Sequence, residues 1–303
     1  MTLFRIDSGK CKAIRSEKFK GEERGLQAFV ETNLQELFGL EFLDTEFAVA
    51  GFRVDTVAFD PESKSFVIIE YKRGEDYSVI DQGFAYLNVL LSHKGDFQIL
   101  LQEKLGQRII PDFSQSRVIF IAKSFNPYQQ AAMGFKELPI ELWKYSLFED
   151  NIFSVEAVEQ PGAVSLKAVK LAKSALIQRV SREVKAYRLE DHLEKIKDAR
   201  VKDAFLALRD EILKMDSQVR EKVRKNYVAY ELRKNFVEFE MQRSALNVSL
   251  DVDFNKLDDP KKICEDCSAV GHWATGDTRF KVRLLEEVPY AISLIRQSYE
   301  ANK

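Results

Sequence analysis

The sequence predicts an α/β domain, a mixed sheet flanked by helices, followed by an α+β domain with an antiparallel sheet. Three observations carry this. The apolar run Phe66 to Ile69 has the length and β-branching of a buried strand, and the alternating segment Phe52 to Phe59 stands just before it. Helical and strand-like segments then interleave as far as Gln160-Pro161-Gly162, which breaks the pattern. Beyond about residue 190, two helical segments precede three alternating runs that read as antiparallel strands.

In chain order, the first domain occupies residues 1–160 and opens with a helix over 22–37. Phe52 to Phe59 and Phe66 to Ile69 are joined by Asp60-Pro61-Glu62-Ser63, with Asp and Pro in the first two places of a type I turn, so the pair reads as a β-hairpin. A turn at about residues 61 to 63 sets Asp55 and Glu70 opposite or nearly opposite each other. A helix carrying Gln82 and Tyr86 follows. Phe97 to Leu101, Arg117 to Ala122, Ile140 to Tyr145 and Ile152 to Val158 read as further strands, with a helix around Asn126 to Phe135. Residues 161–189 form a basic helical connector: Lys167, Lys170, Lys173, Arg179, Arg182, Lys185 and Arg188 face a single acid, Glu183. It is either a solvated helix or a surface that tracks phosphates. The second domain, 190–303, begins with helices Leu189 to Lys197 and Val201 to Met215, with Asp198 or Asp203 serving the turn between them. Asn226 to Leu232, Asn235 to Gln242, Ala245 to Val252 and Thr278 to Leu284 read as strands, and Leu285 to Tyr299 as the closing helix.

The buried run Phe66 to Ile69 ends abruptly in Glu70-Tyr71-Lys72. Side chains alternate along a strand, so Glu70 and Lys72 share a face while Tyr71 takes the other. A lone pair of this kind also occurs as a solvated ion pair on an edge strand. With Asp55 across the hairpin, however, two carboxylates come within reach and repel unless a cation lies between them. Oxygen-only ligation with open water positions suits Mg²⁺ or Mn²⁺. Lys72 then stands where it can orient or deprotonate an attacking water and offset charge on a phosphate.

The ordered set Glu23, Arg53-Val54-Asp55, Glu70-Tyr71-Lys72 and Gln82 to Tyr86 resembles the PD-(D/E)XK nuclease superfamily, and within it the RecB-like and NucS-like group. The resemblance implies a restriction-endonuclease-like fold and metal-dependent cleavage of DNA, with Asp55, Glu70 and Glu23 on the metal and Lys72, Gln82 and Tyr86 completing the catalytic set. Glu-Arg-x-Leu-x-x-Phe-Val at 23 to 30 fits the family's first helix, which favours Glu23 over Glu31. Gln82 and Tyr86, at i and i+4 on one helix face, match the Gln-x-x-x-Tyr motif of the RecB-like group. The match departs at Val54, which stands where the motif has Pro.

Composition bounds the rest. With 303 residues, 45% hydrophobic and 31% charged, the chain suits two soluble globular domains. Lys plus Arg is 46 and Asp plus Glu 48, a formal charge of −2, so any hold on DNA must come from local cations. The candidates are Arg53, on the strand face of Asp55, Arg73, and the connector residues Lys167, Lys170 and Lys173. No signal-like N-terminus and no run approaching eighteen apolar residues is present, which points to a cytoplasmic protein without membrane engagement. Cys11 reads as free. Cys264-Glu265-Asp266-Cys267 with His272 suggests zinc, but too few further ligands exist for a tetrahedral site, and packing cysteines fit better.

Through Tyr227-Val228-Ala229-Tyr230, Asn235-Phe236, Asp258-Asp259-Pro260, Gly271 to Asp277 and Leu294 to Tyr299, the second domain resembles a bacterial family of unknown function, some of whose members are labelled predicted transport proteins. Gly271-His272-Trp273 with Gly276-Asp277 is either a ligand loop or a turn, and Tyr227, Tyr230 and Phe236 are either core or a platform for stacked bases. Two functions compete: a metal-dependent deoxyribonuclease whose second domain selects the substrate, a partner protein or a second copy, and a non-catalytic interaction module that keeps the fold. The adjacent carboxylates favour the enzyme.

Overall fold

A computed structural model describes residues 2–72, 79–106, 109–127, 129, 139–158, 175–268 and 276–303. The chain divides into two compact units, Met1–Ala186 and Tyr187–Lys303.

The first unit is built on a mixed seven-stranded sheet. Its strands are β3 (Ser16–Glu17), β4 (Glu41–Val49), β5 (Phe52–Asp60), β6 (Ser65–Lys72), β7 (Arg117–Ala122), β8 (Ile140–Phe148) and β9 (Ile152–Ala157); β1 (Phe4–Asp7) and β2 (Lys10–Ala13) form a separate hairpin. The order is β3-β8-β7-β6-β5-β4, with β9 also on β8. β6 pairs antiparallel with β5 and parallel with β7, so it is central, and Ser65 to Tyr71 are all buried. That double coverage explains the unbroken apolar run Phe66 to Ile69 within β6. α1 (Glu23–Thr32) and α2 (Leu34–Phe38) cover one face, where Leu26, Val30 and Leu34 meet Val67, Ile69 and Tyr71. α3 (Val79–Ser92) and α4 (Lys94–Leu105) cover the other, where Phe84, Leu87 and Phe97 meet Phe59, Phe66 and Ile68. Burying one such side chain contributes about 1.5–3 kcal/mol, and the two faces together fix β5 and β6 rigidly between helices.

The β5–β6 turn sets the register of everything that follows. Asp60 Oδ1 accepts from the N–H groups of Glu62 (3.0 Å) and Ser63 (3.1 Å), while Oδ2 accepts from buried Arg117 Nη1 at 2.8 Å. An Asp side chain that closes the turn on its own backbone leaves no slack for a slipped pairing.

Three expectations need correction. Phe97 to Leu101 is helix, not strand: in α4 the buried Phe97, Leu100 and Leu101 follow helical spacing, while Ile99 is 57% exposed. The helix expected over 22–37 is two, broken at Asn33, whose φ of −119° and ψ of 19° are not helical. Of the connector expected over 161–189, residues 175–186 are part of the first unit: α5 (Ala175–Glu183) buries Ile177 and Val180 in the α3 side of the core, and Lys94 pairs with Glu183 at 2.6 Å. Most of the helix expected over 126–135 lies outside the described residues.

In the second unit, α6 (Leu189–Leu193) and α7 (Ala199–Leu213) precede six antiparallel strands. These are β10 (Arg220–Val223), β11 (Val228–Glu231), β12 (Asn235–Met241), β13 (Leu246–Leu250), β14 (Glu265–Asp266) and β15 (Thr278–Val282), in the order β10-β11-β12-β13-β15-β14. α8 (Val288–Asn302) closes the unit. Asp198 caps α7 by accepting from Arg200 N–H. Tyr230 and Phe236 are fully buried and Tyr227 nearly so, which makes them core and not a platform for bases. Tyr230 gives its hydroxyl to Glu221 Oε2 at 2.8 Å, and Phe236 meets Tyr299 edge-on. Cys264 and Cys267 are buried, and burial, chiefly, pushes the Cys264 thiol up to about 12. His272 and Trp273 lie outside the described residues, but at Gly276 a Cβ would come within 2.1 Å of Leu250 O, so this glycine is needed for a close backbone approach. Among the described residues no helix is long and apolar enough to cross a membrane.

Candidate active site

The hairpin register runs Thr56↔Ile69, Val57↔Ile68 and so on to Asp60↔Ser65, so Asp55 and Glu70 occupy the next place along the same ladder. Asp55 Oδ2 accepts from the backbone N–H of Tyr71 at 3.1 Å. Glu70, buried at the end of β6, is held on three sides. Gln82 Nε2 donates to Oε1 at 2.7 Å, Lys72 Nζ to the same oxygen at 3.3 Å, and the Tyr86 hydroxyl to Oε2 at 2.9 Å. Gln82 also donates to the Tyr86 oxygen at 2.9 Å, so the two side chains one turn apart on α3 act as a single clamp. Between them lies Gly83, where a Cβ would come within 2.6 Å of Ile140 Cδ1; its absence lets α3 settle close to the sheet.

The electrostatics are set by crowding of negative charge. Burial and then Glu70 raise the Asp55 carboxyl to about 7, with Glu46 and Glu23 adding to the rise and the Tyr71 N–H opposing it. Burial, followed by the Glu70 charge, also raises the Tyr86 phenol, so it remains a hydrogen-bond donor over the physiological range. Among the described residues no three His, Cys, Asp or Glu side chains gather closely enough to hold a metal by themselves. The pair Asp55 and Glu70 nevertheless fits Mg²⁺ or Mn²⁺. It offers hard oxygen donors only, and the charged form of Asp55 is opposed by burial and by Glu70, which a cation would relieve; hexacoordinate Mg²⁺ takes one or two carboxylates and completes its shell with water and phosphate oxygens.

Over 302 residues the chain is 35% identical to an uncharacterized protein of Haemophilus influenzae, spanning 98% of this chain and 99% of that one. The chain belongs to that protein's family. Residues 190–302 of this family member match the model described as a domain of unknown function, DUF5655. Three solved structures show remote likeness. An EndoMS–dsDNA2 complex gives a TM-score of 0.23 at 19% identity, over 40% of this chain and 46% of that one. A repair endonuclease from Pyrococcus abyssi gives 0.24 at 18%, over 39% and 45%. Pyrococcus furiosus SfsA in complex with Ca²⁺ gives 0.25 at 16%, over 54% and 77%. The chain thus spans less than half the length of the first two.

The other residues singled out from the sequence fall in different places. Glu23 opens α1 and acts on Asp55 through its charge, whereas Glu31 is tied to the opposite face of the sheet, accepting from Thr56 Oγ1 at 2.6 Å and Gln27 Nε2 at 3.1 Å. Arg53 is exposed and its guanidinium is paired with Glu46. Arg73, Lys167, Lys170 and Lys173 lie outside the described residues. Two side chains beside Asp55 escaped sequence reasoning. Glu46 stands on β4 between Thr45↔Thr56 and Phe47↔Val54, hence across from Asp55, with a φ of +53°. Gln27 touches Asp55 from behind, and its one signal is the Glu23, Gln27, Glu31 spacing, a polar stripe on an otherwise amphipathic helix.

Proposed function

We propose that the first unit is a nuclease that hydrolyses phosphodiester bonds in DNA with Mg²⁺ or Mn²⁺, serving repair or defence against foreign DNA. The observation that carries this reading is the Glu70 clamp: a buried carboxylate held by Gln82, Tyr86 and Lys72, beside a second carboxylate whose charge burial and Glu70 oppose. A binding module gains nothing from setting two carboxylates so close, because their mutual repulsion costs free energy that a further cation or a proton relieves.

Asp55 and Glu70 would hold the cation, and Glu23 at the head of α1 adds negative charge to the same region. Bound there, the cation supplies Lewis-acid charge to the phosphate oxygens. Gln82 and Tyr86 fix the Glu70 carboxylate so that it need not reorganise during the reaction. Lys72, on the same face of β6, directs a water toward phosphorus and offsets the charge that builds as the new P–O bond forms and the bond to the leaving oxygen breaks. The second unit would choose the DNA form or recruit a partner.

The test is cleavage of labelled single-stranded, duplex and branched DNA and of RNA, with Mg²⁺ or Mn²⁺ and with chelator. Metal-dependent cleavage of DNA is the expected result. Binding of DNA without cleavage of any substrate would replace the enzyme with the interaction module.

A further inference from the structure

We infer that Gln27 is a positioning residue for Asp55, acting from the opposite face of the sheet; this rests on the nuclease reading above. Gln27 is 8% exposed and sits on α1 between the core residues Leu26 and Val30. An amide buried there needs partners, and the ones it has are specific. Its Nε2 lies 2.9 Å from the backbone carbonyl oxygen of Asp55, 3.1 Å from Glu31 Oε1 and 3.1 Å from Thr45 Oγ1.

The Asp55 carbonyl has a reason to need this donor. The β4–β5 register passes from Thr45↔Thr56 to Phe47↔Val54 and skips the pair between them, Glu46 and Asp55, where Glu46 takes its left-handed φ of +53°. A non-glycine residue in that region is strained, and such strain persists only where its surroundings enforce it. The strand is therefore irregular beside the residue whose carboxylate must be most precisely held, and the Gln27 amide holds its carbonyl from the side.

The anchor continues through Glu31. That carboxylate accepts from Thr56 Oγ1 at 2.6 Å, and the Thr56 hydroxyl lies 3.3 Å from the Tyr71 hydroxyl. Tyr71 in turn gives its backbone N–H to Asp55 Oδ2. Asp55 is thus gripped at both ends by one reverse-face network: its carbonyl by Gln27, its carboxylate by the backbone of Tyr71. Partners of this kind, one step removed from a metal ligand, characteristically change metal affinity by about 10- to 100-fold when lost.

The experiment compares wild type, Gln27→Met and Leu26→Ala in the full chain. Met keeps the length and volume of Gln and removes the donor; Leu26→Ala removes core packing from the same turn. Mn²⁺ binding is measured without DNA by electron paramagnetic resonance of the free ion, alongside thermal melting in chelator. Gln27→Met is expected to bind Mn²⁺ about 10-fold or more weakly and to lower kcat with little change in KM for DNA. Leu26→Ala is expected to melt earlier yet bind Mn²⁺ like wild type. Mn²⁺ affinity in Gln27→Met equal to wild type overturns the proposal. If Gln27→Met does not fold, the wild-type side-chain amide protons of Gln27 decide: they should be protected from exchange and shift on adding Mg²⁺, and resonances that do not move refute the role. Wild type that neither binds Mn²⁺ nor cleaves DNA would instead remove the nuclease reading itself.

Discussion

The backbone N–H of Tyr71 donates to Asp55 Oδ2 across 3.1 Å, so the strand that presents Glu70 and Lys72 also holds the carboxylate facing them. Both acids therefore depend on one piece of backbone that is locked between β5 and β7. A site built on the central strand of a sheet gives up adaptability for fixed geometry, which suits transition-state charge stabilisation.

The first prediction separates ligands from the charged helper. Asp55→Ala and Glu70→Ala should each abolish cleavage and weaken Mn²⁺ binding, because each removes a direct oxygen donor. Lys72→Ala should abolish cleavage and leave most of the Mn²⁺ affinity in place. Calorimetric Mn²⁺ titration of the three variants checks this, and equal loss of affinity in all three would contradict the assignment of Lys72.

The clamp on Glu70 gives the second. Tyr86→Phe removes one hydroxyl and keeps the ring, so the core around Leu87 and Leu90 is undisturbed. Loss of a hydrogen bond to a charged partner costs about 1.5–3 kcal/mol where it acts, which corresponds to roughly a 10- to 100-fold drop in rate if the bond is at full strength in the transition state. The rate should fall by that factor while the melting temperature changes little. Gln82→Leu should behave alike, since Gln82 Nε2 serves both Glu70 and Tyr86.

Hairpin register was legible in the sequence because Asp60-Pro61 fixes the turn and alternation does the rest: Asp55, Glu70 and Lys72 fall on one face of one hairpin, as the residue order implies. Gln82 and Tyr86 were legible for the same kind of reason, one turn apart on a helix. Phe97 to Leu101 was not, because a five-residue apolar run satisfies either period, and only the outward Ile99 decides for helix. Glu46 was hidden because its place across from Asp55 depends on β4, an edge strand with only Leu43 and Val49 turned fully inward and so no clear alternation. Arg53 does flank Asp55 on β5, and there it pairs with Glu46, a contact no local pattern announces.

Titration of Asp55 supplies the third prediction. Its carboxyl is raised in the folded chain to about 7, so the folded state holds that proton more tightly than the unfolded one. A raised value stabilises the fold fully below the ordinary carboxylate range, and this contribution is lost as pH rises through about 7. Without metal, the melting temperature should therefore fall through this group from about pH 4 to about pH 7 and level off above. Mn²⁺ affinity should rise over the same interval and level off above it, because the ligand is then ionised without the ion's help. Asp55→Asn should flatten both profiles and raise the metal-free melting temperature at the higher pH, since it removes a charge that burial and Glu70 oppose. A metal-free melting temperature in Asp55→Asn below that of wild type at about pH 8 would contradict the direction given for Asp55.

The last prediction concerns how a chain of formal charge −2 holds a polyanion. No long-range attraction follows from that balance, so the hold must come from local cations, among them Arg73, the three lysines of the connector, and Arg53, whose exposed guanidinium pairs with Glu46. Lys167, Lys170 and Lys173 are spaced so that three cations recur within about two helical turns of sequence. Each phosphate they neutralise should add roughly −0.7 for single strands or −0.9 for duplex to the slope of log affinity against log salt. Replacing all three with Gln should flatten that slope by about two to three units if each engages a phosphate. Affinity should drop alike for every sequence, while cleavage at saturating DNA stays near wild type, because the proposed catalytic set of Asp55, Glu70 and Lys72 does not include them. An unchanged slope would assign these lysines to a solvated surface and move the search for the DNA track to the cations of the second unit.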